Sequence, residues 1–149
     1  MIKRIISGGQ TGADKGGLLA GRQLGIKTGG TAAPGWRTEL GPDYSLKDYG
    51  LVEGEADPQM YPKRTLKNVV DSDATLVIGN ISSSGSKLTI KFCESSKKHY
   101  ICNPTPEELK EFLGSHRIEV LNVAGNRESV NPGVQKQTFT LLYAVLGKV

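Results

Sequence analysis

At 149 residues the chain has the length of one domain with a buried core, and its 37% hydrophobic and 23% charged residues exclude global disorder. The net charge of +4 comes with basic pairs, Lys3-Arg4, Lys63-Arg64 and Lys97-Lys98, which argue against the long clusters of a nucleic-acid footprint, and 6% aromatics leave no stacking platform for single strands. No apolar run approaches a membrane span and Met1 to Ser7 is too short for a signal peptide, so a cytoplasmic location is expected.

The apolar run Ile2 to Ile6 predicts a buried strand, and Leu18, Leu19, Ala20 and Leu24 recur at helical spacing after it. Between them lies Ser7-Gly8-Gly9-Gln10-Thr11-Gly12-Ala13-Asp14, a glycine turn from strand into helix. The first N–H groups of a helix have no internal partner and sit at the positive end of its dipole, and glycines let an anion such as phosphate approach them. Gly8, Gly9, Gln10, Thr11 and Gly12 are therefore candidate ligand contacts. The alternative is a tight turn with Thr11 or Asp14 as N-cap. The loop is neither G-x-G-x-x-G nor a Gly-Lys-Ser/Thr phosphate loop, which disfavours a plain dinucleotide enzyme or an NTPase.

The first helix is expected to end near Gly25, with Ile26 to Thr28 a short second strand before Gly29-Gly30. Residues 31–70 are rich in turn formers, among them Pro34, Gly35, Gly41, Pro42, Gly50, Gly54, Pro58 and Pro62, and long irregular segments in compact domains are usually functional. This segment is read as the second wall of a pocket. Within it, Arg37 and Glu39 beside Trp36 are candidate ligand contacts or an exposed ion pair, and Tyr61, Arg64, Thr65 and Asn68 approach helical spacing. Leu66 to Val70 completes a short helix.

Ala74 to Ile78 is the clearest strand, and Gly79-Asn80-Ile81-Ser82-Ser83-Ser84-Gly85-Ser86 follows it as a second polar loop before a helix over 87–97. Asn80, Ser84, Gly85 and Ser86 are its candidate ligand residues. His99 to Cys102 predicts the next strand; Thr105-Pro106-Glu107-Glu108 starts a helix over 106–113, and Ile118 to Val123 is the last strand. A third polar loop, Ala124 to Ser129 with Arg127, Glu128 and Ser129 as candidates, leads through Asn131-Pro132-Gly133 into a helix over 134–146. Cys93 and Cys102 read as free thiols, with pairing in an oxidising compartment left open, and no metal site is expected. Alternating strands and helices give an α/β fold: a single Rossmann-like domain over residues 1–149, its mainly parallel sheet flanked by helices. Loops after parallel strands meet at the carboxyl edge of the sheet, where such folds bind ligands.

Across Ile6 to Asp14, Gly29-Gly30 with Pro34, Gly35, Arg37, Glu39 and Gly41, then Tyr61, Arg64, Thr65, Asn68, Val69, Ser72, Asp73, Thr75 and Leu76, and finally Asn122 to Gly125, Arg127 to Ser129 and Pro132-Gly133, the chain resembles the family of proposed molybdenum carriers. That family is a branch of the Rossmann-like superfamily that also holds the lysine-decarboxylase-like "lonely guy" phosphoribohydrolases. The resemblance implies a homo-oligomer, a dimer or tetramer, whose glycine loops bind an anionic, phosphate-bearing small molecule, with the molybdenum cofactor as ligand. There are departures. Ser84-Gly85-Ser86 stands where carriers have Gly-Gly-Thr, and Ala33 where they have cysteine. The glutamate of the hydrolase motif Pro-Gly-Gly-x-Gly-Thr-x-x-Glu has no counterpart among Lys87, Leu88 and Thr89, which favours a non-enzymatic binder. The alternatives are a binder of nucleotide-derived signals, or a nucleotide N-glycosidase using Glu39 or Glu128.

Overall fold

The computed structural model describes residues 1–56 and 60–147, with the side chains of residues 60–62 outside that description; Pro58 and the side chains of Tyr61 and Pro62 thus lie beyond it. The main sheet has six strands, β1 (Arg4–Ile6), β2 (Lys27–Ala32), β5 (Leu51–Glu53), β6 (Ala74–Ile78), β7 (His99–Cys102) and β8 (Val120–Gly125), in the order β5-β2-β1-β8-β6-β7. Every pairing in it is parallel. A separate antiparallel ribbon joins β3 (Arg37–Thr38) to β4 (Gly41–Pro42). Among the described residues five α-helices flank the sheet: α1 (Ala13–Leu24), α2 (Met60–Val70), α3 (Ser84–Ser95), α4 (Pro106–Ser115) and α5 (Val134–Leu146).

The strand order has a simple logic. Strands run outward from β8 in both directions, through β1 and β2 to β5 on one side and through β6 to β7 on the other. Counted from β8, this is a doubly wound sheet whose crevice falls at β8, where the winding reverses. In the chain, however, β8 comes last and slots between β1 and β6, with Ile5 opposite Leu121 and Leu76 opposite Val123.

Packing puts α1, α4 and α5 on one face and α2 and α3 on the other. The main core gathers Ile5, Leu76, Ile78, Leu109, Leu121, Val123, Val134 and Leu142, all buried. A second cluster, Leu18, Ala32, Trp36, Leu46, Tyr49 and Leu51, lies under residues 33–53. The first half of the turn-rich segment thus carries a small core of its own. Its widely spaced apolar residues have no helical or strand period to betray them, yet they bury against α1 and add the edge strand β5.

Elsewhere the differences are local. Gly29-Gly30 lies inside β2, because the strand passes so close to Ser7 that a Cβ on Gly30 would stand 2.1 Å from the Ser7 carbonyl oxygen. The helix α3 begins at Ser84, so Ser84-Gly85-Ser86 is the first helical turn. The strand β8 starts later than Ile118 and runs through Gly125, and α4 extends to Ser115. The strands β6 and β7 and the helix α5 fall where the periodicity puts them. Both cysteines are free, Cys93 buried and Cys102 partly so. No helix among the described residues is long and apolar enough to cross a membrane.

Candidate functional site

The loops after β1, β6 and β8 meet at the carboxyl edge, and one residue ties them together. Asn126, 4% exposed, donates through Nδ2 to the Asn80 carbonyl at 3.2 Å and to Ser83 Oγ at 3.1 Å, while its Oδ1 accepts from the Asn80 N–H and from Asn131 Nδ2. Its backbone completes the knot: the carbonyl accepts from Ala13 N–H at 3.1 Å and the N–H donates to the Ile78 carbonyl at 3.2 Å.

This knot explains the glycine loop. The N-cap of α1 is Gly12, with no side-chain cap, so neither Thr11 nor Asp14 caps the helix. A Cβ on Gly12 would stand 2.2 Å from the Asn126 carbonyl oxygen, and one on Gly9 would stand 2.7 Å from Leu46. Those two glycines serve close packing against the neighbouring loop and the small core. The Asn126 carbonyl already occupies the start of α1, where an anion was expected.

The open space lies next door. A cleft of about 390 Å³ sits between α2 and α3 above β8, bordered by Gly8, Gln10, Asp14, Arg64, Thr65, Asn68, Ser83, Ser84, Gly85, Leu88, Thr89, residues 122–127 and Val130. Its volume is that of a site for a small organic ligand. Ser83 caps α3, its Oγ accepting from the Ser86 N–H at 3.3 Å, and Lys87 N–H is the first to find a helical carbonyl, Ser83 at 2.9 Å. Among the described residues the Ser84 and Gly85 amides have no acceptor, which leaves two donors at the positive end of the α3 dipole on residues that border the cleft. Arg127, half-exposed, borders the same space.

On the far wall Arg64 donates to the Gly8 carbonyl at 3.0 Å, and Asp14, 8% exposed, accepts from the Gln10 N–H at 3.1 Å. Burial pushes the Asp14 carboxyl up from its ordinary 3.8 to about 6; the charge of Arg64 and the amides of Gln10 and Gly8 pull the other way without cancelling it. The folded state therefore holds a proton that the unfolded state has released between pH 4 and 6. Stability falls as pH rises through that window, by roughly 3 kcal/mol for a shift of this size. In Asp14→Asn this pH dependence is expected to disappear and the protein to be more stable than the parent at pH 7, as read by urea denaturation at pH 4, 5, 6 and 7.

The other candidate carboxylates are committed to the scaffold. Glu39, at the tip of the β3–β4 ribbon, accepts from the hydroxyls of Ser129 and Thr11 and from the Ser129 N–H at 3.2 Å, with Arg127 Nε at 4.0 Å. The Ser129 hydroxyl first, then that of Thr11, hold its carboxyl below the ordinary 4.5. Gln10 Oε1 accepts from the Thr11 and Glu39 amides, and Thr11 Oγ1 accepts from Glu128 N–H at 3.2 Å. Glu128 takes the Gly133 and Gln135 amides at 2.7 and 3.0 Å, capping α5. An N-glycosidase built on Glu39 or Glu128 would have to break these bonds first.

Of the residues singled out from sequence, the structure brings Gly8, Gln10, Ser84, Gly85 and Arg127 to the cleft wall. It places Gly9, Gly12, Thr11, Glu39, Glu128 and Ser129 in the packing and hydrogen bonds around it, Ser86 in the buried base of α3, and Arg37 and Asn80 at the surface. Asp14, Thr65, Asn68, Leu88, Thr89, Asn122, Asn126 and Val130 also border the cleft. Asn68 does so while its amide pairs with the Thr31 backbone of β2 at 2.9 and 3.1 Å. Among the described residues no group of three or more histidine, cysteine or acidic side chains is placed to hold a metal ion.

Comparison with known proteins is consistent in direction. The sequence pattern of the circularly permutated YpsA SLOG family matches residues 5–146. A solved structure of a proposed molybdenum carrier protein from Syntrophus aciditrophicus is 38% identical, with a TM-score of 0.85 over 97% of this chain and 95% of that one. The structure of (E)-4-hydroxy-3-methyl-but-2-enyl diphosphate reductase aligns at 12% identity and a TM-score of 0.43 over 95% of this chain and 59% of the other, a likeness that carries no argument. None of the curated proteins compared with the chain matches it.

Proposed function

Because this chain belongs to the circularly permutated YpsA SLOG family, we propose that its cleft binds a small phosphate-bearing anion, that the molybdenum cofactor is the cargo, and that the protein carries or sequesters it without converting it. One observation supports the anion: the Ser84 and Gly85 amides at the start of α3, with Arg127 beside them, border a cleft that the other two loops help to shape. The cargo is a transfer from the 38% identical relative described as a molybdenum carrier. The fit is to a phosphate and a ring and not to the metal, because no cysteine or histidine is among the described residues that line the cleft.

Gly85 is the position that tests this reading. A Cβ there meets nothing within 4 Å, so Gly85→Trp adds bulk at the cleft border without straining the fold, whereas Gly9→Trp collides with Leu46 and Leu51. Thermal unfolding of the parent should rise with molybdenum cofactor, and a ligand at about 100 times its dissociation constant stabilises by roughly 2.7 kcal/mol. Gly85→Trp should keep the parent melting temperature and lose the ligand shift. A shift with nucleotides but not with the cofactor would move the reading to a binder of nucleotide-derived signals. No shift with cofactor, molybdate, phosphate or nucleotides would end it.

A further inference from the structure

Resting on that anion-binding reading, we infer that the cleft selects a ring whose edge carries adjacent N–H donors, the 2-amino-4-oxopyrimidine edge shared by guanine and pterins, and that Asp14 reads it. The lining is chemically divided. Ser84, Gly85 and Arg127 supply donors and positive charge, Leu88 and Val130 offer apolar contact to a flat ring, and Asp14 is the single carboxylate among the described lining residues. An ionised carboxylate only accepts hydrogen bonds and has about four acceptor positions. The Gln10 and Gly8 amides take part of that capacity and leave room for two more donors. At neutral pH the group is ionised, and the Arg64 charge near it opposes its negative charge. A ring placing N–H and NH₂ side by side satisfies this acceptor. Adenine does not, since its N1 is an acceptor, and hypoxanthine supplies one donor where guanine supplies two. Apart from the Arg64 charge, no other ionisable side chain among the described lining residues shares that wall.

The test is isothermal titration of the full chain with GMP, IMP, AMP and inorganic phosphate, GMP serving because it joins the donor edge to one phosphate. The parent should bind GMP about tenfold or more tightly than AMP, with IMP between, the discrimination a bidentate pair provides. Asp14→Asn, which keeps the side-chain shape and is expected to fold, should bring GMP and AMP within about threefold of each other and bind phosphate as well as the parent or better. Equal binding of GMP and AMP by the parent, or an undiminished preference in Asp14→Asn, overturns the assignment and leaves the anion seat standing. Failure of all four probes to bind, phosphate included, overturns the seat and the assignment together.

Discussion

Replacing Asn126 by alanine is expected to lower stability by about 2 kcal/mol, because the lost side chain leaves the Asn80 N–H without its acceptor and the Asn80 carbonyl and Ser83 hydroxyl without their donor in a part-buried knot. Each bond alone is modest. The cost comes from stranding several polar groups at once in a part-buried knot. The same change frees the Ser83 hydroxyl, which caps α3, so the amides of Ser84 and Gly85 lose their fixed direction. Urea denaturation should show the stability loss, and phosphate binding by the surviving folded protein should weaken as well. Asn126→Asp tests the geometry: it keeps the acceptor for Asn80 N–H and removes both donors, so it should lie between the parent and the alanine variant. A loss below about 1 kcal/mol for alanine would show that the loops hold each other without this residue.

The second large effect is expected at Trp36, which has no contact with the cleft. Trp36→Ala should cost about 3–5 kcal/mol, the range for emptying a buried tryptophan site. Its ring is 8% exposed among Leu18, Leu46, Tyr49 and Leu51, and its backbone holds φ at 58°, an uncommon value for a bulky residue. Packing therefore outweighs local strain at this position, and Trp36→Gly, which relieves the strain, should be less destabilised than Trp36→Ala. Because the small core stands outside the cleft, phosphate affinity of the folded Trp36→Ala protein should stay within about twofold of the parent. A selective loss of binding would give residues 33–53 the role of ligand wall.

Legibility in the sequence followed the range of the interactions involved. The strand over 74–78 and the helix over 134–146 are visible because their own apolar residues carry the period. The loop-like reading of Ser84-Gly85-Ser86 failed for a physical reason: serine and glycine disfavour helix interiors but suit a first turn, where unpaired amides need room or a cap. The second strand was expected to stop before Gly29-Gly30, because nothing in the sequence shows that β2 passes so close to Ser7 that a Cβ at Gly30 is excluded. The convergence of three polar loops at one sheet edge was legible from the strand-loop-helix order. Which side chains face the ligand space was not. Asp14 reads as a possible N-cap, and its place on the cleft wall near Arg64 of α2, fifty residues away in the chain, appears only in the fold. Glu39 and Glu128 read as equally chemical, until the partners that consume them are seen.

The placement of β8 also orders events in time. During synthesis β1, β2 and β5 emerge as one half-sheet, and β6 and β7 as another, each with a naked inner edge and nothing to join them. Residues 120–125 arrive last and pair with both edges in a single step, closing contacts across more than a hundred residues of chain on the β1 side. Contacts of that span slow the search for the native state. Until they form there is no Asn126 knot, no cleft, and two strand edges open to neighbouring molecules. Folding to completion and readiness to hold a ligand are thus the same event, and a chain interrupted before Val120 has neither.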